Sequence, residues 1–279
     1  MDLGALKKTM RYQQTATPAQ IGADVEELAR FDAEQEKHIR FWGTWFGWSL
    51  GGAFVSFLGC FFTGFQWPPF PIALAAAVVS AVLAKTRQGH WRQFDLVNER
   101  YQVLASLCRM VQPDLAEGAT VVADVDLRAP TQVSRELERN GWKCKIYQQP
   151  WLRLRGRFME GTRFEVRAVE VREVRTRWKR GSSGKLKSKT RTRERALIDV
   201  TLAPDAGDLA PQAERLVEAV QLPKGSALVR SRADASGLSL RTRLDGGTKA
   251  GMEKTVAMMM LSLYQVVGFV RAQGRGKAS

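Results

Sequence analysis

The residues of this 279-residue chain that could do chemistry are mostly basic, and the chemistry open to them is electrostatic. Between positions 153 and 195 lie 16 Lys/Arg and five Glu, a local charge of +11 out of a formal total of +15. The densest part carries Arg172, Arg175, Arg177, Lys179, Arg180, Lys185, Lys187, Lys189, Arg191, Arg193 and Arg195 against only Glu173 and Glu194. A charge run is commonly just a solvated face, but this density on two strands and their turn exceeds what solubility needs. The cluster is therefore read as an anionic-surface binding site. Near an anionic leaflet each basic residue gains about 1 kcal/mol, and the gain fades within a Debye length. An acidic protein partner would use the same patch. Nucleic acid is disfavoured, because single-strand binders stack bases on interleaved aromatics and only Trp178 lies within the densest part.

Bond-making constellations are not found. His38 and His90 are the only histidines, and no HExxH, CxxC, GxSxG or GxGxxG is present. Gly184-Lys185 lacks the preceding glycine of a phosphate loop, with Lys179 in its place, and is followed by Leu186 rather than Ser or Thr. Asp245-Gly246-Gly247 reads as a helix cap, and Asp124 with Asp126 as a surface pair on one side of a strand. Cys60, Cys108 and Cys144 show neither disulfide nor metal spacing, which suits a reducing compartment. The expectation is a non-enzyme with no cofactor and no metal.

The basic cluster must be positioned by something, and the stretch before it supplies the device. Residues 41–84 contain no Asp, Glu, Lys, Arg or His. A bilayer core needs roughly 20 apolar residues per helix, so these 44 residues divide into two spans, about 41–62 and 71–84. Gln66-Trp67-Pro68-Pro69-Phe70-Pro71 breaks them, since proline removes a backbone donor and biases its predecessor away from the helix. Lys37 and Arg40 on one flank, and Lys85, Arg87 and Arg92 on the other, place both termini in the cytoplasm by the positive-inside rule. The expected location is the inner (cytoplasmic) membrane, with the first helix an uncleaved signal anchor. A re-entrant hairpin is the competing geometry.

Gly43, Gly47 and Gly51 on the first helix, and Ala73, Ala77 and Ala81 on the second, recur at spacing four and are read as helix-packing residues. The simple reading is that the two helices pack on each other. A homo-oligomer, forming a channel or a membrane-disrupting effector, is the alternative.

The remaining chain divides by pattern into an N-terminal arm (1–40), the hairpin (41–87), an amphipathic connecting helix (88–112) and a basic α+β domain (113–279). Residues 1–16 read as unstructured. Thr17-Pro18-Ala19-Gln20 reads as a capping box opening a helix that runs into the first span. Phe94, Val97, Tyr101, Leu104, Cys108 and Val111 recur at helical spacing up to Pro113. Strand-like segments follow at 120–127, 142–147, 151–158 and 163–178, with a turn at Glu160-Gly161 and a bulge near Ala168. Gly181-Ser182-Ser183-Gly184 is a turn into a third long strand over 185–202. A helix at 209–220, two strands around 227–230 and 238–241, and a long apolar helix at 249–272 complete the domain. The last is read as a buried cover for the sheet, not a third span. The fold class expected is thus a membrane α-helical hairpin plus a cytoplasmic α+β domain, its antiparallel meander covered by helices. The function expected is binding or scaffolding at the inner leaflet.

Overall fold

The computed structural model describes residues 3–63, 69–180, 185–204, 220–234, 237–246 and 251–276. The chain divides into two units, Glu26–Leu96 and a second made of Met1–Val25 with Val97–Ser279.

Helix α2 (Pro18–Thr63), which starts in the second unit and enters the first at Glu26, and helix α3 (Pro69–Arg92) are long and apolar enough to cross a membrane. Only 6% of the apolar window of α2 and 17% of that of α3 are buried, whereas the core helix of a soluble protein hides most of its apolar surface. Phe54, Phe61, Phe62, Val79 and Val82 all point outward. The capping box forms as expected: Gln20 N–H donates to Thr17 Oγ1 at 3.3 Å, and Thr17 N–H donates to Gln20 Oε1 at 3.0 Å. The seam between α2 and α3 is lined by small or polar groups. Trp45 Nε1 donates to Ser80 Oγ at 2.9 Å, the Ser49 and Ser80 hydroxyls lie 2.9 Å apart, and Ser56, Cys60, Ala81, Ala84 and Gln88 are buried. At one end His38 stacks on Trp91, with centroids 4.4 Å apart. Residues 64–68, most of the expected external turn, lie outside the described residues.

The second unit is built on an eight-stranded antiparallel sheet. Its strands are β1 (Arg11–Ala16), β2 (Val121–Asp126), β3 (Val133–Arg139), β4 (Trp142–Arg157), β5 (Arg163–Arg180), β6 (Leu186–Ala203), β7 (Ser226–Asp234) and β8 (Gly237–Asp245). The order is β1-β2-β4-β5-β6-β8-β7, with β3 paired to the far end of β4. Alternation decides the faces. Leu152, Leu154, Phe164, Val166, Ala168, Ile198, Val200, Leu202 and Leu240 turn inward and are buried. Helix α4 (Asn98–Val111) and helix α5 (Met252–Gly276) pack on this side, contributing Leu104, Leu107 and Val111, and Val256, Met259 and Leu263. The long apolar helix is therefore a cover for the sheet.

Several expectations are corrected. The described residues of this segment, 3–16, are structured: helix α1 (Leu3–Thr9) leads into β1, which pairs with the free edge of β2. Tyr12 donates its hydroxyl to Asp24 at 2.8 Å. The connecting helix is not continuous, because α3 runs on to Arg92 and α4 begins only at Asn98, after an extended Val97 whose N–H donates to Leu127 O at 3.0 Å. The segments 142–147 and 151–158 form one 16-residue strand. The expected bulge lies at this place in the sheet, but the extra residue belongs to β4: the register with β5 shifts between Pro150 and Leu152, opposite Val169 and Ala168. A proline within a strand is tolerated at such a bulge, where a ladder bond is already missing. Strand β3 has no counterpart among the expected segments. The expected turn at 181–184 and helix at 209–219 lie outside the described residues.

Candidate anion-binding face

Strands β5 and β6 face each other over 18 residues each, from Arg163 opposite Ala203 to Arg180 opposite Leu186. Even-numbered positions of the half in which Arg163 faces Ala203 enter the core. Odd-numbered positions therefore lie on the outer face along the whole length, because side chains alternate strictly in a strand. Eight of the eleven clustered residues fall on that face: Arg175, Arg177, Lys179, Lys187, Lys189, Arg191, Arg193 and Arg195. Arg172 and Arg180 lie on the opposite side, and Lys185 precedes β6. Neighbouring strands extend the basic face beyond the run visible in the sequence. Arg153 lies beside Arg167, Arg241 beside Asp199, Arg243 beside Leu197, and Arg11 is carried on β1 opposite Asp126.

This face has two electrostatic sectors. Over the core it is largely self-neutralised. Arg11 grips Asp124 through two donors at 2.6 and 2.5 Å. Glu165 accepts from Arg153 at 2.5 Å and Arg167 at 2.7 Å. Asp199 accepts from Arg241 at 2.6 Å, and Asp245 lies within 3.7 Å of Arg193, Arg195 and Arg243. Partial burial pushes the Asp124 and Glu165 carboxyls up, but the arginine hydrogen bonds outweigh it and hold both below the usual carboxylate range. Arg11, Asp124, Arg153, Arg167, Asp199 and Arg241 also line a shallow depression of about 460 Å³, floored by the Pro150–Leu152 bulge.

Beyond the core the same strands form an arm, with the far ends of β4, β5 and β6 and all of β3. Its compensation runs out toward the end. Arg175 donates to Glu173 at 2.8 Å, and Arg191 lies over the Trp142 ring at 5.6 Å. Arg177, Lys179, Lys187 and Lys189 have no ion pair among the described residues. The β6 part of the arm adds no core, for residues 186–194 are all exposed.

One buried group joins the two sectors. Arg100 on α4 is fully buried, and donates to Asp126 O at 2.7 Å, Arg128 O at 2.5 Å, Gln149 Oε1 at 3.3 Å and Glu170 Oε2 at 2.6 Å. Its guanidinium carbon lies 5.4 Å from the ring centroid of Trp151, the bulged residue. Sequence reasoning missed this residue, since an arginine on an amphipathic helix ordinarily reads as solvent-facing.

The helix-packing candidates separate. A Cβ on Gly43 would lie 2.8 Å from Gln88 Nε2, so this glycine faces α3. Gly47 and Gly51 are exposed with open space beside them. Ala81 is buried, Ala77 half-buried and Ala73 exposed. Among the described residues no group of three or more His, Cys, Asp or Glu side chains is gathered to hold a metal ion. Comparison of the chain with protein-family models, curated proteins and solved structures finds no match.

Proposed function

We propose that the chain is a two-span integral membrane protein of the inner membrane, with both termini cytoplasmic, whose basic domain binds anionic lipid headgroups. The observation that carries this reading is the segregation of charge on one sheet face. Eight clustered cations share that face, and those toward the end of the arm are not spent on carboxylates among the described residues. A face meant only for solubility would gain nothing from such sorting. Two further features support the reading: the exposed apolar windows of α2 and α3, and the basic flanks at Lys37, Arg40, Lys85 and Arg87. If half of the eight cations approach a leaflet, they contribute about 4 kcal/mol, at ~1 kcal/mol each. That is ample for a domain that the chain already tethers.

The test is lysine footprinting of the full chain in nanodiscs. Acylation of Lys179, Lys187 and Lys189 should slow severalfold when phosphatidylglycerol replaces part of the phosphatidylcholine, and recover at high salt. Equal rates in both lipids would refute lipid binding and leave an acidic protein as the partner to seek. A reporter fused after Ser279 checks the topology; an external signal would overturn the cytoplasmic role.

A further inference from the structure

The end of the β5–β6 arm has two unlike faces. On one lie Arg177, Lys179, Lys187 and Lys189. On the other, Trp178 stands opposite Ser188 and Leu186 opposite Arg180, which makes Trp178 and Leu186 diagonal neighbours on one face. Both are exposed, at 62% and 66%, although they are the most apolar side chains of the ribbon's last turns. Behind them the β5–β6 face continues with Thr176 opposite Thr190 and Val174 opposite Thr192, all uncharged. Lys143 and Lys145 of β4 flank this stretch, opposite Glu138 and Glu136 of β3.

We infer that this tip is an interfacial anchor, which enters an anionic leaflet end-on with Trp178 and Leu186 in the acyl boundary and a collar of Lys179, Arg180 and Lys187 among the headgroups. The inference rests on the lipid-binding reading and adds the docking geometry to it. Charge complementarity names the occupant. The collar residues carry three cations with no ion pair among the described residues, around two apolar side chains, and an anionic bilayer offers negative headgroups directly above hydrocarbon. Tryptophan partitions to that depth, with its ring among the first methylenes and its N–H toward water. A flat approach would use only one face: cations down leaves Trp178 pointing to water, and Trp178 down lifts the cations away. End-on entry engages both.

Three native cysteines, Cys60, Cys108 and Cys144, are buried, so a surface thiol can be labelled selectively in the full chain. An environment-sensitive fluorophore is placed at Trp178→Cys, at Leu186→Cys and, separately, at Thr192→Cys. Thr192 lies opposite Val174 on the same face, four rows behind Trp178, or about 14 Å along the strand. Each labelled protein is reconstituted into phosphatidylcholine vesicles with or without phosphatidylglycerol, and quenching by spin-labelled acyl chains is measured. End-on anchoring predicts quenching at 178 and 186 severalfold above that at 192, and only with phosphatidylglycerol. Equal quenching at 192 means flat docking by the Trp178 face, which overturns the end-on geometry while keeping lipid binding. Quenching at none of the three sites overturns the anchor; lysine acylation slowed by phosphatidylglycerol then leaves headgroup binding standing, and unslowed acylation overturns that reading too. Quenching at 178 and 186 that is indifferent to phosphatidylglycerol removes the cationic collar from the mechanism and overturns the inference.

Discussion

Replacing Arg100 by methionine should cost the basic domain about 3–5 kcal/mol, the usual penalty for removing one partner of a buried ion pair. The origin is the partner set. Arg100 is fully buried, and its guanidinium satisfies two backbone carbonyls, Asp126 O and Arg128 O, and the Glu170 carboxylate, whose side chain is only 14% exposed. Methionine fills the volume but leaves all three acceptors unpaired, with a near-buried negative charge among them. Domains are stable by only about 5–15 kcal/mol, so the loss is a large fraction of the total. The double variant Arg100→Met/Glu170→Met removes the charge along with its partner and should recover much of the loss, since apolar replacement of a whole buried pair is often neutral. Arg100→Lys should recover little, because an ammonium cannot span the planar fork that serves four acceptors. The assay is urea unfolding of the full chain in detergent, followed by tryptophan emission; Trp151, 1% exposed and beside Arg100, is a local reporter. A shift below about 1 kcal/mol for Arg100→Met, or a double variant no more stable than the single one, would refute the account. Functionally, Gln149 and Glu170 are register partners next to the Pro150–Leu152 bulge, so Arg100 clamps the point where sheet over core becomes arm. Its loss should also loosen the arm and raise exchange of the amides around 169–172.

Further outcomes follow from single sites. Glu173, lowered by its Arg175 hydrogen bond, and Asp124 and Glu165, lowered net by their arginines, contribute stability that is present above the unfolded carboxyl range and lost as pH falls through their lowered values. Urea midpoints should therefore hold from neutral pH to about 5 and decline below about 4; a midpoint that rose on acidification would contradict the pairing. The Cys108 thiol, pushed up to about 12 by burial, should resist maleimide at neutral pH until urea unfolds the domain, and ready labelling of the native protein would refute its burial. Gly156→Ala should cost about 1–3 kcal/mol by overpacking, since the new Cβ would meet a Phe164 ring carbon at 2.6 Å and Val121 Cγ1 at 2.9 Å. Gly43→Leu should weaken α2–α3 packing through Gln88, whereas Gly47→Leu, with nothing within 4 Å, should leave the hairpin's thermal stability unchanged; a large loss at Gly47 would show that its face is occupied by another copy.

What was legible from the chain follows the physics of each signal. Strands β5 and β6 and the core half of β4 were readable because Leu152, Leu154, Ile198 and Val200 alternate with polar residues, and one-sided burial writes that period into a sequence. The apolar helices were readable because 44 uncharged residues have few other uses. Strand β1 was not, because Arg11–Ala16 has only Tyr12, Ala16 and the flanking Met10 to bury, and its strand form depends on the open edge of β2. Strand β3, with no side chain fully buried, is likewise specified by its partner and not by its own pattern. Of the candidate site, the residues were legible and the face was not. Arg241 and Arg243 join it only because β8, distant in sequence, is the neighbour of β6. The division into paired and unpaired sectors depends likewise on carboxylates from β2, β6 and β8, which proximity in sequence does not reveal.

The arm's two faces are inherited, and this links the core to the proposed function. A slip of one residue sends every side chain of the slipped strand to the other side of the sheet. Among the described residues of the β5–β6 part of the arm, no buried side chain resists such a slip: Thr176, Thr190 and Ser188 make no core, and the cations repel one another wherever they lie. Register is set instead over the buried half, where Phe164 must meet Leu202, Val166 meet Val200 and Ala168 meet Ile198. Misplacing these three pairs would expose the three buried side chains of the slipped strand, each costing on the order of 1–3 kcal/mol, less for alanine. Because β5 and β6 run unbroken from core to tip and pair without a shift, that cost fixes the parity of the distal half too. The core thus does for the arm what the arm cannot do for itself: it keeps Arg177, Lys179, Lys187 and Lys189 on one side and Trp178 and Leu186 on the other. A substitution that weakens core register, such as Val200→Asp, should therefore scramble the arm's facial sorting and abolish lipid-dependent protection of Lys187 and Lys189 without altering a single basic residue.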